Sequence, residues 1–225
     1  MANRLTEDPD VRVLLLEAGP RDTSLMIHVP VGYASTLKDP KINWLYETEP
    51  DPGTNDRTHI WPRGKVLGGS SSINGLLYIR GQRQDYDHWA QLGLRGWAWD
   101  DLEPWFLKSQ HQEREGLEGH GRGGPLNVSD ATETHPVSDA VIEAGTGLGL
   151  VHRDVNGEDQ EGICYYQLTV KNGRRCSAAV AYLNPARKRS NLVIETDALA
   201  SRVRFEGTRA VGVEYTRGAE TVVAG

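Results

Sequence analysis

One stretch constrains this chain more than any other: Arg63-Gly64-Lys65-Val66-Leu67-Gly68-Gly69-Ser70-Ser71-Ser72-Ile73-Asn74-Gly75-Leu76-Leu77-Tyr78-Ile79-Arg80-Gly81. It carries too many glycines and serines for an ordinary core segment. Its middle carries too little charge for a solvated linker. The adjacent Gly68 and Gly69 allow a sharp backbone path and the close approach of a ligand. Three serines follow, offering short hydroxyls and backbone N–H groups. The apolar run from Ile73 to Ile79 then begins a buried helix or strand. On its residues alone, the cluster is either a plain loop or a cradle for an anion or a flat cofactor.

A second fixed point lies upstream. Val11 to Leu16 is a continuous apolar run of strand length without alternation. It reads as an interior strand buried on both faces. Glu17-Ala18-Gly19-Pro20 stops it. An acid at the carboxyl end of such a strand is either merely solvated or bound to the ribose hydroxyls of a dinucleotide. A dinucleotide fold also needs G-x-G-x-x-G after a first strand, and none precedes Val11. Gly145-Thr146-Gly147-Leu148-Gly149 has the wrong spacing and closes a helical pattern, so it reads as a C-cap and turn.

The remaining chemistry is narrowed by exclusion. Gly64-Lys65 precedes the glycine pair and is not followed by Ser or Thr, which rules out a Walker loop. No Gly-x-Ser-x-Gly is present, so a serine nucleophile has no elbow. None of the seven histidines sits in an acid/base constellation. A net charge of −6 argues against a nucleic-acid partner. No apolar run approaches membrane-spanning length, and Met1 to Asp8 lacks a signal core. Cys164 and Cys176 are expected as free thiols, with no zinc spacing. A cytoplasmic location follows as the expectation.

The pattern predicts further elements. Residues 20 to 60, with Pro30, Pro40, Pro50 and Pro52, are loop-rich around a short strand near Trp44 to Thr48. Asp85 to Leu92 is a helix with Tyr86 and Trp89 inward. Asp100 caps a second helix whose inner face carries Leu102, Trp105, Phe106 and Ser109. Gly124 to Val128 and Gly162 to Val170 are strands. Pro136 opens a helix striped by Val137, Ala140, Val141 and Ala144 and ending at Gly145. Ser177 caps a helix over 178–183, ended by Pro185. Three strands close the chain, 191–196, 200–205 and 210–215, the last two a hairpin at Glu206-Gly207-Thr208.

Gly64-Lys65, Leu67-Gly68-Gly69-Ser70-Ser71, Ile73-Asn74, Tyr78, Gly81 and Asp87 resemble the first signature of the glucose–methanol–choline oxidoreductase family, FAD-dependent enzymes that oxidise alcohols. Trp44-Leu45-Tyr46, Arg80-Gly81 and Trp89 resemble its choline dehydrogenase-like branch. The resemblance implies an α/β fold: a partial FAD-binding, Rossmann-like domain (1–123 and 188–225) and part of an α+β substrate-binding domain (124–187). It implies that Glu17 meets the FAD ribose, and that Gly68, Gly69 and Ser70 approach the pyrophosphate and ribityl region. Asn74, Gly75 and Leu76 would face the polar edge of the flavin, and Ala200 the adenine through its backbone. Arg63, Gly64 and Val66 complete the expected cofactor-binding set.

Family members that hold FAD covalently do so through a histidine just before this asparagine. That position is Ile73 here, so non-covalent FAD is expected. The resemblance also places the first strand, the glycine loop and the catalytic histidine outside this sequence. We therefore expect part of an enzyme oxidising a small alcohol by hydride transfer to flavin. The alternative is an inert truncated product or a flavin- or partner-binding remnant. No catalytic residue is assigned.

Overall fold

The computed structural model describes residues 1–225. They form two compact units, Met1–Gly75 with Ser177–Gly225, and Leu76–Cys176. The joins between these compact units fall at 75/76 and 176/177. No helix is long and apolar enough to cross a membrane.

In the first unit, strand Val13–Leu16 runs parallel to Leu192–Glu195, pairing Val13 with Leu192 and Leu16 with Glu195. Parallel pairing needs a long crossover, and here nearly the whole chain intervenes. The strand is not buried on both faces as expected. Val13 and Leu15 pack against the core of Leu67, Ala179, Leu183, Ala186 and Leu192, while Leu14 is 37% exposed. A pair of strands has only one covered face here, which leaves every second side chain outward. A neighbouring cluster of Ile27, Ile42, Val66 and Ile73 buries the start and end of the glycine–serine stretch. Residues 20–60 form short helical turns and a two-residue ladder, Tyr46–Glu47 against Ile60–Trp61.

The helix after Ser177 forms as expected, with Ser177 Oγ accepting from Val180 N at 3.2 Å. It widens to a π-helix over Ala179–Leu183 and returns to α over Asn184–Ala186. Pro185 does not end it. The proline sits in the first turn of the α segment, where a missing N–H is tolerated. The closing sheet is antiparallel: Ala198–Glu206, Arg209–Arg217 and Glu220–Ala224. Gly207 supplies the left-handed residue of the expected hairpin.

The second unit carries helices Arg83–Gln91, Trp99–Ser109 and Pro136–Gly147. Tyr86, Trp99 and Phe106 cluster, their ring centroids 5.7 to 5.9 Å apart. Trp89 and Trp105 were expected inward and are instead 41% and 63% exposed. The second of these helices begins two residues earlier than expected. Ala98 is the N-cap, Asp101 accepts its N–H at 3.1 Å, and Asp100 pairs with Arg83. The inner face keeps Leu102, Phe106 and Ser109 and adds Trp99, while Trp105 turns outward. The third helix runs past Gly145 to Gly147. Leu150 N bonds Gly145 O and Gly149 N bonds Thr146 O, a Schellman ending with Gly149 at positive φ. Strand Leu77–Tyr78 pairs with Gln167–Leu168, and Gln110–Gln112 with Leu126–Val128.

Candidate cofactor site

The first unit brings the two fixed points of the sequence together. Leu67 N donates to Pro20 O at 3.1 Å, tying the glycine–serine stretch to the turn after strand Val13–Leu16. The approach is so close that a Cβ on Gly19 would lie 1.7 Å from Lys65 O. Gly68 and Gly69 then take φ of +92° and +58°, which L side chains rarely adopt. A Cβ on Gly68 would meet Ser72 Oγ at 2.4 Å and Ala179 Cβ at 3.2 Å, whereas one on Gly69 would meet nothing within 4 Å. Gly68 is thus wedged against the helix start, and Gly69 faces open space.

A cleft of about 350 Å³ results, lined by Leu15, Leu16, Glu17, Gly68, Gly69, Ala178, Ala179 and Tyr182 among others. That size falls in the ordinary range for ligand pockets. Glu17 hangs at its edge. Its N–H bonds Glu195 O, its carbonyl accepts from Ala198 N, and its carboxylate accepts Gly19 N–H at 2.8 Å. Desolvation by burial raises the Glu17 carboxyl above the ordinary glutamate value, against the lowering effect of the Gly19 and Ala18 amides. An acceptor so placed can receive hydroxyl hydrogen bonds from a ligand.

The serine hydroxyls make bonds within this turn. Ser70 Oγ accepts from Gly64 N, Ser71 Oγ donates to Gly68 O and accepts from Ala178 N, and Ser72 Oγ donates to Leu67 O. Each hydroxyl thus helps to fix the turn. Local side-chain to backbone bonding of this kind is the usual habit of serine in turns.

Of the expected set, Glu17, Gly68 and Gly69 line the cleft. Gly64 supports it from beneath, since its Cβ position lies 2.2 Å from Gly69 O. Val66 is fully buried in the isoleucine cluster, leaving only its backbone for a ligand. Ser70 and Asn74 are exposed and joined by an Asn74 N to Ser70 O bond. Gly75 is exposed and ends the first segment of this unit. Leu76 opens the other unit, buried at φ +68°, its carbonyl taking both Thr169 N and Thr169 Oγ1. Arg63 lies over the Trp61 ring, and Ala200 sits on strand Ala198–Glu206; neither lines the cleft.

Sequence reasoning overlooked Asn3, Ala178, Ala179 and Tyr182 as lining residues. The small pair Ala178-Ala179 just after a cap was the available signal, because only small residues permit Gly68 to approach a helix start.

The sequence profile of the GMC oxidoreductase family matches residues 14–224. Mouse mitochondrial choline dehydrogenase (Mus musculus) is 47% identical over 225 residues, covering 96% of this chain and 38% of its own length. The alcohol dehydrogenase [acceptor] of Pseudomonas putida is 46% identical over 217 residues, covering 96% of this chain and 39% of its own. The crystal structure of pyridoxine 4-oxidase from "Mesorbium loti" superposes with a TM-score of 0.93 at 37% identity, over 99% of this chain and 44% of that one. The chain spans about two fifths of the length of these curated relatives.

Proposed function

The chain belongs to the GMC oxidoreductase family, whose cofactor is FAD, and on that premise we propose that its Met1–Gly75 and Ser177–Gly225 unit holds the ribose and diphosphate portion of FAD. The observation that carries this is the convergence of Glu17, Gly68 and Gly69 on one cleft at the carboxyl end of a parallel strand. That is where open α/β sheets bind nucleotides. Glu17 accepts the ribose hydroxyls. The left-handed glycines let backbone amides approach the diphosphate without a side chain between. Arg63, Gly64, Val66, Ser70, Asn74, Gly75, Leu76 and Ala200 remain the proposed outer contacts.

The FAD is held non-covalently, because Ile73 is an apolar side chain in the core. When bound, flavin supplies the hydride acceptor for oxidation of a small primary alcohol of the choline class. This chain's residues bind and orient that cofactor. The alcohol is the small-molecule partner, and nucleic acid has no part. The two free thiols go with a reducing compartment, as in the cytoplasm.

The test is titration of the purified protein with FAD, followed by flavin fluorescence. Saturable binding is expected, weakened at least about tenfold by Glu17→Ala, as for loss of a charged acceptor worth roughly 1.5–3 kcal/mol. Acid precipitation should release all the flavin to the supernatant. Anaerobic bleaching by choline tests the oxidation itself. Unchanged affinity in Glu17→Ala would remove the ribose assignment.

A further inference from the structure

Cys164 lines a second cleft, about 320 Å³, inside the Leu76–Cys176 unit, together with Arg114, His152, Arg153, Asp154 and Gln167. Gln167 is 1% exposed. Its Oε1 accepts from Asn156 Nδ2, which fixes the amide, yet its Nε2 finds no acceptor. A buried amide donor in that state calls for an acceptor, which a ligand oxygen in the cleft can supply. Arg153 Nε also lacks an acceptor, while its Nη1 pairs with Asp159. Arg114 holds Asp130 through Nε and Nη2, leaving Nη1 outside that fork. Arg114 is held above the ordinary guanidinium value, chiefly by its Asp130 bond, against the lowering effect of burial, and further by the charges of Asp130 and Asp154. The one carboxylate of the cleft, Asp154, is engaged by His120 Nε2 and Asn156 N. Cys176, by contrast, is buried, its sulfur accepting Asn127 N.

We propose that Cys164 is a site of thiol–disulfide exchange with the disulfide of a small carboxylate-bearing thiol. Gln167 Nε2, Arg153 and Arg114 receive the carboxylates. The Cys164 thiolate attacks one sulfur of the incoming disulfide, and the reagent's S–S bond breaks. A new S–S bond joins Cys164 to that half. The other half leaves as a thiolate and takes up the proton that Cys164 gave to solvent. Cys164 is oxidised, and half of the reagent is reduced. The site is independent of the FAD reading.

The probe is oxidised glutathione added to the whole protein, with adducts mapped by peptide mass spectrometry. Adduct at Cys164 should form at least about tenfold faster than at Cys176, following thiolate access, and dithiothreitol should remove it. Cys176→Ser should leave it intact. Gln167→Met or Arg114→Gln should slow it about three- to tenfold, consistent with loss of one charged or hydrogen-bonded contact, without slowing the uncharged hydroxyethyl disulfide. No adduct, equal labelling of both cysteines, or equal rates with charged and uncharged disulfides would overturn the proposal.

Discussion

Gly19 and Gly69 separate two reasons for glycine in the cleft. Gly19 has no room, since its Cβ would strike a backbone carbonyl at 1.7 Å. Gly69 has room but a φ of +58°. Gly19→Ala should therefore destabilise by about 3 kcal/mol or more, at the upper end for overpacking. Gly69→Ala should cost only about 1–2 kcal/mol, the left-handed penalty. Urea melts of the two variants check the order. Glu17 adds a pH signature. Its folded carboxyl is raised by burial, so the ionised form is less stable in the folded protein than in the unfolded chain. That penalty operates above the ordinary glutamate value and disappears as pH falls below it. Glu17→Gln should accordingly raise stability at pH 7, with the gain vanishing in acid. A gain that grew in acid would contradict the burial account.

At the scale of elements, the helix after Ser177 supplies one wall of the cleft. Ser177→Ala removes its cap and should cost about 1 kcal/mol, measured by thermal unfolding. The strand Val13–Leu16 and this cap were legible because a continuous apolar run and a Ser before small residues each have one local cause. Other elements were not legible for equally local reasons. Lys171-Asn172-Gly173-Arg174 joins two short strands with Asn172 and Gly173 both at positive φ. Asn-Gly is a strong hairpin signal, but strands of two residues leave no alternation beside it. Gly145 looked like a helix end, yet its Cβ position lies 2.6 Å from Ile163 Cδ1, so it serves packing and the helix passes through. Trp105 was misdirected because it sits at the edge of the stripe of Leu102, Phe106 and Ser109, one residue, or about 100°, from Phe106.

For the whole molecule, the sequence reading placed Glu17 and the paired glycines in one site on family resemblance. Their meeting depends on the parallel pairing of Val13–Leu16 with Leu192–Glu195, nearly the whole chain apart. Such pairing leaves no trace in either strand's own residues. Long-range bonds within the second unit, such as Arg80 to Asn156 and Leu77 paired with Leu168, likewise leave no local trace in the sequence. The central claim is that the Gly68-Gly69 turn and the end of strand Val13–Leu16 form one FAD-facing surface. Hydrogen–deuterium exchange with and without FAD tests it most directly. Slowed exchange should concentrate at the amides of Glu17 to Gly19 and Gly68 to Ser72. Protection confined to the Leu76–Cys176 unit, or none on adding FAD, would contradict it.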